Sequence, residues 1–312
     1  MTSRAPAKII LCGEHAVVYG QPALAVPFGA LTADVTASAG IPGSGLAIIA
    51  HDINQSIRLA PEERNGLAYA AQLILRELDK PIPDMILEVR SSIPIGGGLG
   101  SGAAVTAALM RELAAWFGHT FSAETLNSLV YQVETIYHGT PSGIDNTVIV
   151  YERPVYFVRG TAPITLSIQT ALTLLVADSG LSGSTREAVA DVHRQFDADP
   201  AHIQSMLTQI GKLVDMVRTG LEHGDMSVTD LGQLLNDNHA ILRELGVSSP
   251  ELEQLVSAAR NAGALGAKLS GGGRGGNIIA LVTSTTAEHV ANALQRAGAA
   301  HIWQTELEPI SD

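Results

Sequence analysis

Strands and helices interleaved in both halves of the chain predict an α/β fold of the α+β kind, built as two domains. Three observations carry that expectation. Short apolar runs punctuated by Gly and Pro alternate with stretches of helical period along nearly the whole sequence. A length of 312 residues suits two domains of ordinary size. A composition of 46% hydrophobic and 16% charged residues excludes disorder and a coiled coil. A boundary is expected near residue 165, giving domains 1–165 and 166–312.

The elements follow in order. Strands are predicted over Lys8 to Gly13, Thr32 to Ala39, Leu46 to Ala50 and Gln55 to Leu59. Leu67, Ala71, Ile74, Leu75 and Leu78 recur at helical spacing, and Pro81 and Pro83 stop that helix before a strand from Met85 to Ile93. Ala103 to Phe117 is apolar on nearly every side, which predicts a buried helix, and Ser122 caps another from Ala123 to about His138. Thr147 to Tyr151 and Val155 to Val158 read as a hairpin turned at Glu152-Arg153-Pro154. Ala171 to Asp178 is a strand. Helices are predicted over 185–198, 200–222, 227–245 and 249–262, then a strand Asn277 to Thr283, a helix Thr286 to Ala297 and a last strand His301 to Leu307.

The charge balance narrows the function. With 31 acidic and 19 basic side chains the net charge is -12, so the long-range field repels polyanions and nucleic acid is not an expected partner. A small anion would have to be held by local devices: backbone N–H groups, helix N-termini, a few basic residues or a metal ion. The single cysteine, Cys12, excludes an internal disulfide and a Cys-rich metal site. No apolar stretch approaches the ~20 residues of a membrane span, and a cytoplasmic location is expected.

Four segments carry chemistry. Pro94-Ile95-Gly96-Gly97-Gly98-Leu99-Gly100-Ser101-Gly102 lies between a predicted strand and a predicted helix, so its N–H groups and the helix N-terminus can converge on a phosphate. It lacks the Gly-Lys-Ser/Thr of a Walker A loop. A second glycine run, Lys268-Leu-Ser-Gly-Gly-Gly-Arg-Gly-Gly-Asn, contains G-x-G-x-x-G at Gly271, Gly273 and Gly276. A strand rather than a helix follows it, so it is no dinucleotide fingerprint. It serves either close approach to a ligand or a flexible turn. The opening Ala5 to Gly20 places Lys8 at a strand start and Glu14 and His15 at its exit; each reads as a solvated or capping side chain or as part of a site. Finally, Glu134 precedes the turn Gly139 to Asn146, which presents Asp145, a carboxylate suited to general-base work. Glu134 itself is either a solvated helix charge or an inward metal ligand.

Taken in order and spacing, these segments resemble the motifs of the GHMP superfamily of small-molecule kinases, and within it the mevalonate-phosphorylating branch. Lys8 with Gly-Glu-His-Ala-Val-Val-Tyr-Gly is similar to the first motif, Pro94 to Ala104 to the second, Lys268 to Asn277 to the third. Glu134 and His138 to Asn146 resemble the segment bearing the catalytic aspartate. The resemblance spans about residue 5 to residue 283. It implies an N-terminal ribosomal-S5-like domain, a C-terminal ferredoxin-like domain, a cleft site, and a homodimer. The implied reaction moves the γ-phosphoryl of ATP to the C5 hydroxyl of (R)-mevalonate, with Mg2+ required.

By the same resemblance, Asp145 and Lys8 are catalytic, residues Pro94 to Gly102 wrap the ATP phosphates, and Ser101 and Glu134 hold Mg2+. Glu14, His15, Thr185 and Gly271 face the acceptor substrate, although Thr185 also reads as a helix N-cap. Two departures stand out. The second motif ends Ser101-Gly102 where the family carries a further Ser, and Arg274 interrupts the third motif, where it would clamp a phosphate or point to solvent. Other members of the superfamily acting on phosphomevalonate or on the C3 hydroxyl, and a non-catalytic metabolite sensor, are the alternatives.

Overall fold

The computed structural model describes residues 2–60, 65–138 and 141–309, with residues 137 and 138 known by backbone alone. The chain divides into two units that interleave in sequence: Met1–Lys8, Pro27–Ile95 and Leu99–Glu152 in the first, and Ile9–Val26, Gly96–Gly98 and Arg153–Asp312 in the second.

In the first unit, strands β2 (Ala23–Ala39), β3 (Leu46–Ala50), β4 (Gln55–Arg58) and β5 (Met85–Ser91) pair in the order β4-β3-β5-β2, and β1 (Thr2–Cys12) also pairs with β2. β3 and β5 run parallel, with Ile48 opposite Leu87. The Ala33–Ala39 end of β2 runs antiparallel to β5, with Val35 opposite Val89. Leu31, Ala33 and Val35 alternate into the core, as the period of two requires. Helices α1 (Gly66–Glu77), α2 (Ser101–Trp116), α3 (Ala123–His138) and α4 (Ile144–Tyr151) pack on one another. α2 is the central one. Its alanines 103, 104, 107, 108 and 114 are buried on several sides, the all-round burial its sequence predicts.

The predicted strand over Thr147 to Tyr151 is not formed; those residues belong to α4. The run Val-Ile-Val is β-branched and wholly buried, so it has no period that separates strand from helix. Tertiary burial and the left-handed Gly143 at the helix start decide the matter.

In the second unit the Ala23–Ala25 start of β2 pairs with β6 (Val155–Phe157), which pairs in turn with β7 (Ile164–Thr165). A separate antiparallel sheet has the order β11-β8-β10-β9, from β8 (Leu172–Asp178), β9 (Gly266–Ser270), β10 (Asn277–Val282) and β11 (His301–Leu307). The five helices are α5 (Thr185–Ala198), α6 (Pro200–His223), α7 (Val228–Glu244), α8 (Pro250–Asn261) and α9 (Ala287–Arg296). The first four start on capping side chains: Ser184, Asp199, Ser227 and Ser249 each accept a hydrogen bond from a first-turn N–H. Pro200 and Pro250 fill the first helical position, where no N–H is needed.

β9 has no counterpart among the predicted strands. Gly-Ala-Lys-Leu-Ser carries no β-branched residue, and its strand state depends on neighbours. Alongside β10, the side chains of α7 supply partners: Asn236 Oδ1 accepts from Ala267 N–H at 3.0 Å and His239 Nδ1 from Leu269 N–H at 3.3 Å. Among the described residues no helix is long and apolar enough to cross a membrane.

Candidate active site

The first unit gathers Lys8, Asp145, Glu134 and the start of α2. Lys8 is 3% exposed, contrary to the solvated reading of a lone lysine, because its partner arrives from far along the chain. Lys8 Nζ lies 2.9 Å from Asp145 Oδ1. Asp145 is in the first turn of α4, where the exposed N–H groups favour a carboxylate. That turn is braced: Asn146 Nδ2 donates to Asn127 Oδ1 at 2.6 Å, Asn127 Nδ2 to Thr147 Oγ1 at 3.3 Å, and the Thr147 hydroxyl to Gly143 O at 2.7 Å. Asn127 was not singled out in the sequence, since nothing near it in the chain shows that α3 faces α4.

Glu134, on α3, is 4% exposed, so it is the inward carboxylate and not a solvated one. Burial, reinforced by the negative charge of Asp145 and opposed by Lys8, pushes its pKa up to about 7. A side chain at Gly102 would place its Cβ 3.3 Å from Glu134 Oε1, so this glycine stands directly against the carboxylate. Ser101 opens α2, and its hydroxyl donates to Ile93 O at a long 3.4 Å.

The loop between β5 and α2 has the conformation of an anion nest. Gly96, Gly98 and Gly100 take φ of 74°, 73° and 78°, alternating with residues of ordinary φ, which turns successive N–H groups to one side. No side chain caps α2 and its first turn carries no acid. Gly100 is fixed twice over. Its φ is left-handed, and an added Cβ would meet Ile149 Cδ1 at 2.8 Å and Lys8 Cγ at 3.1 Å. Lys8 N–H donates to Leu99 O at 3.0 Å, tying the loop to the strand that carries the lysine.

The second unit gathers Glu14, His15, Thr185 and the second glycine run. Glu14 and Lys268, 1% and 0% exposed, form a buried ion pair. His15, 5% exposed, has φ 60°, a left-handed backbone rare for a residue with a side chain. Its Nε2 lies 3.0 Å from Gly272 O, and a carbonyl only accepts, so Nε2 carries the hydrogen and Nδ1 is left as a lone-pair acceptor. Nδ1 is buried and finds no partner among the described residues. Burial, then the charges of Arg274 and Lys268, hold the imidazole down to about 4, so it is neutral near pH 7.

The second glycine run is neither a flexible turn nor wholly a ligand surface: it packs on its own chain. A Cβ at Gly272 would meet Thr185 Oγ1 at 2.4 Å, and one at Gly273 would meet Val247 O at 2.0 Å. Gly271 alone of the three leading glycines has open space where a Cβ would stand. Asn277 Nδ2 donates to Gly97 O at 2.6 Å, joining the first and second glycine runs. Two expectations are corrected. Thr185 is the first residue of α5 and not its cap; Ser184 caps it, accepting from Glu187 N–H. Arg274 neither faces solvent freely nor waits for a phosphate: it pairs with Asp191 on α5 and donates to Gly246 O. His138, quoted in the aspartate segment, has no described side chain, and Gly139 and Thr140 lie outside the described residues.

With this geometry in hand, the comparisons place the chain in a class. The family model for the GHMP kinases N terminal domain matches residues 65–153, and that for the GHMP kinases C terminal domain matches residues 219–300. The chain belongs to the GHMP kinases, and it has their two-domain mixed α/β fold. More particularly, it is 37% identical to a mevalonate kinase of Pyrococcus horikoshii, over 94% of this chain and 92% of the relative. It is 35% identical to one of Aeropyrum pernix, over 89% and 87%. Among solved structures, that of an L. major mevalonate kinase in complex with R-mevalonate is similar at TM-score 0.84 and 30% identity, over 99% of this chain and 96% of that one.

Proposed function

We propose that this kinase transfers the γ-phosphoryl group of ATP to the C5 hydroxyl of (R)-mevalonate, and that Asp145 and Lys8 perform the transfer. The observation that carries the reading is the Lys8–Asp145 pair, at 2.9 Å, in a chain with relatives named mevalonate kinase. Phosphoryl transfer asks for positioning and charge neutralisation more than covalent help. Asp145, half open to solvent at the start of α4, takes the hydroxyl proton as general base. Lys8, buried beside it, offsets the negative charge that develops on the acceptor oxygen.

The residues 94–102 supply N–H donors and the uncapped start of α2 to the phosphates. For Mg2+, the donor chemistry fits. Among the described residues no group of three or more His, Cys, Asp or Glu could form an all-protein cage, and magnesium in kinases is instead held through one or two carboxylates plus substrate phosphates. Glu134 and Ser101 would hold it. The crowding of Glu134 by Asp145 is what a divalent cation relieves. When bound, the ion neutralises charge on the transferring phosphates. Glu14, His15, Thr185 and Gly271 form the acceptor side. His15 Nδ1 is an acceptor only, so it suits a substrate hydroxyl and not a carboxylate. Assembly as a homodimer and a cytoplasmic location belong to the same proposal.

One coupled assay with Mg-ATP across mevalonate, phosphomevalonate, homoserine and galactose tests it. Turnover is expected with mevalonate. Preference for another alcohol would replace the acceptor while keeping the class; nucleotide and mevalonate binding with no turnover of any substrate would mean a sensor.

A further inference from the structure

Alternate residues of the third motif reach back to the exit of β1. Lys268 Nζ pairs with Glu14 Oε1 and also donates to Leu269 O. Two residues on, the Ser270 hydroxyl accepts from Ile10 N–H at 3.2 Å and donates to Ile10 O at 2.9 Å, as a strand partner would. Two further on, Gly272 O accepts from His15 Nε2 at 3.0 Å. The period of two puts the Lys268 and Ser270 side chains on one face of β9, and Gly272 follows just beyond its end. They meet one short stretch, residues 10 to 15, that includes two of the side chains assigned to the acceptor substrate, Glu14 and His15, and the left-handed backbone of His15.

A buried ion pair is a poor stabiliser: desolvating two charges costs about as much as their attraction returns, and well-packed apolar residues do as well. A lysine at the centre of a strand with no exposure therefore calls for another reason. Its position supplies one. Strain at φ 60° persists only where the surroundings over-determine it, and Glu14, the residue immediately before His15, is the one Lys268 grips.

We infer that Lys268 is a positioning residue for the acceptor substrate: with Ser270 and Gly272 it forms a three-rung ladder that fixes Glu14 and His15 in their binding geometry. The third glycine motif thereby serves recognition of the alcohol as well as close packing of the chain. The inference rests on the acceptor-side assignment of Glu14 and His15 made above.

The test uses Lys268→Met, Lys268→Arg and the pair Lys268→Met with Glu14→Gln, which removes both buried charges and so keeps a folded protein even if the single variant fails to fold. Steady-state kinetics of each are read against the wild type. Expected is a KM for mevalonate raised ~10-fold or more with the KM for ATP within ~2-fold, partly rescued by Arg. The double variant, which also loses the Glu14 carboxylate, is expected to show a KM for mevalonate no lower than that of Lys268→Met although its stability returns, so the support for Lys268 is read from Lys268→Met and its rescue by Arg. A double variant with wild-type KM for mevalonate overturns the inference, as does a proportional loss in both KM values that tracks stability.

Nitrogen NMR of the His15 ring gives a readout free of turnover. The wild type is expected to show a fixed Nε2–H form, and the double variant averaged tautomers; an unchanged fixed form in the variant contradicts the ladder. Absence of mevalonate turnover by the wild type would sink the substrate assignment, whereas the NMR comparison judges the ladder alone.

Discussion

Asp145 and Glu134 are two carboxylates beside one lysine, and their surroundings divide the work. Asp145, partly open and paired with Lys8, is the proposed proton acceptor. Asp145→Asn keeps the shape and removes the basic oxygen, so kcat should fall by at least ~100-fold with ATP affinity intact; a wild-type rate would remove Asp145 from its role. Glu134, with its pKa pushed up to about 7 by burial and by Asp145, is half protonated near neutrality. A proton on it cannot coexist with a cation, so Mg-ATP affinity should weaken as pH falls from about 8 to about 6, approaching one proton released per ion bound. In Glu134→Gln calorimetry should find weak binding that no longer varies with pH over that range. The burial of Glu134 and of Lys8 was not legible in the sequence. A charged side chain goes inside only when a distant partner meets it, as the separation of 254 residues between Glu14 and Lys268 illustrates.

Elements were more legible than contacts. The four helices α5 to α8 follow from apolar period and Ser, Asp and Pro start signals that sit next to them in the chain, and their ends agree with expectation to a residue or two. α4 and β9 were not legible, because each is decided by what lies alongside it: burial on all sides for Val148 to Val150, and the side chains of α7 for Gly266 to Ser270. The Pro94 to Gly102 loop was recognisable as a glycine-rich turn between strand and helix, but not that Gly100 also makes room for Lys8 and Ile149. Gly100→Ala meets both a left-handed φ and those contacts. It should destabilise the protein by roughly 1–3 kcal/mol in urea unfolding and lower activity beyond that loss; unchanged activity at unchanged stability would show the loop relaxes freely.

At the scale of the whole molecule, three buried groups set the pH response. His15 and His239 are each held from 6.5 down to about 4, chiefly by burial. The unfolded chain takes protons there that the folded one refuses, so stability falls as pH drops from 6.5 toward 4. Glu134 works oppositely: its pKa is raised in the folded state from 4.5 to about 7, so its share of stability is lost as pH rises through that window. Two histidines against one glutamate leave a net decline toward acid. Urea unfolding should show it between about pH 6.5 and about pH 4.5, and Glu134→Gln should make it steeper by nearly one proton; a flat profile would mean the histidines are not buried neutral.

Every role proposed for these residues belongs to one reaction. The most direct test is phosphorus and carbon NMR of the product formed from (R)-mevalonate and Mg-ATP by the purified chain. The proposed reaction predicts a single phosphomonoester on the C5 oxygen. A phosphate on the C3 oxygen, or unaltered mevalonate while ATP stays bound, would contradict it.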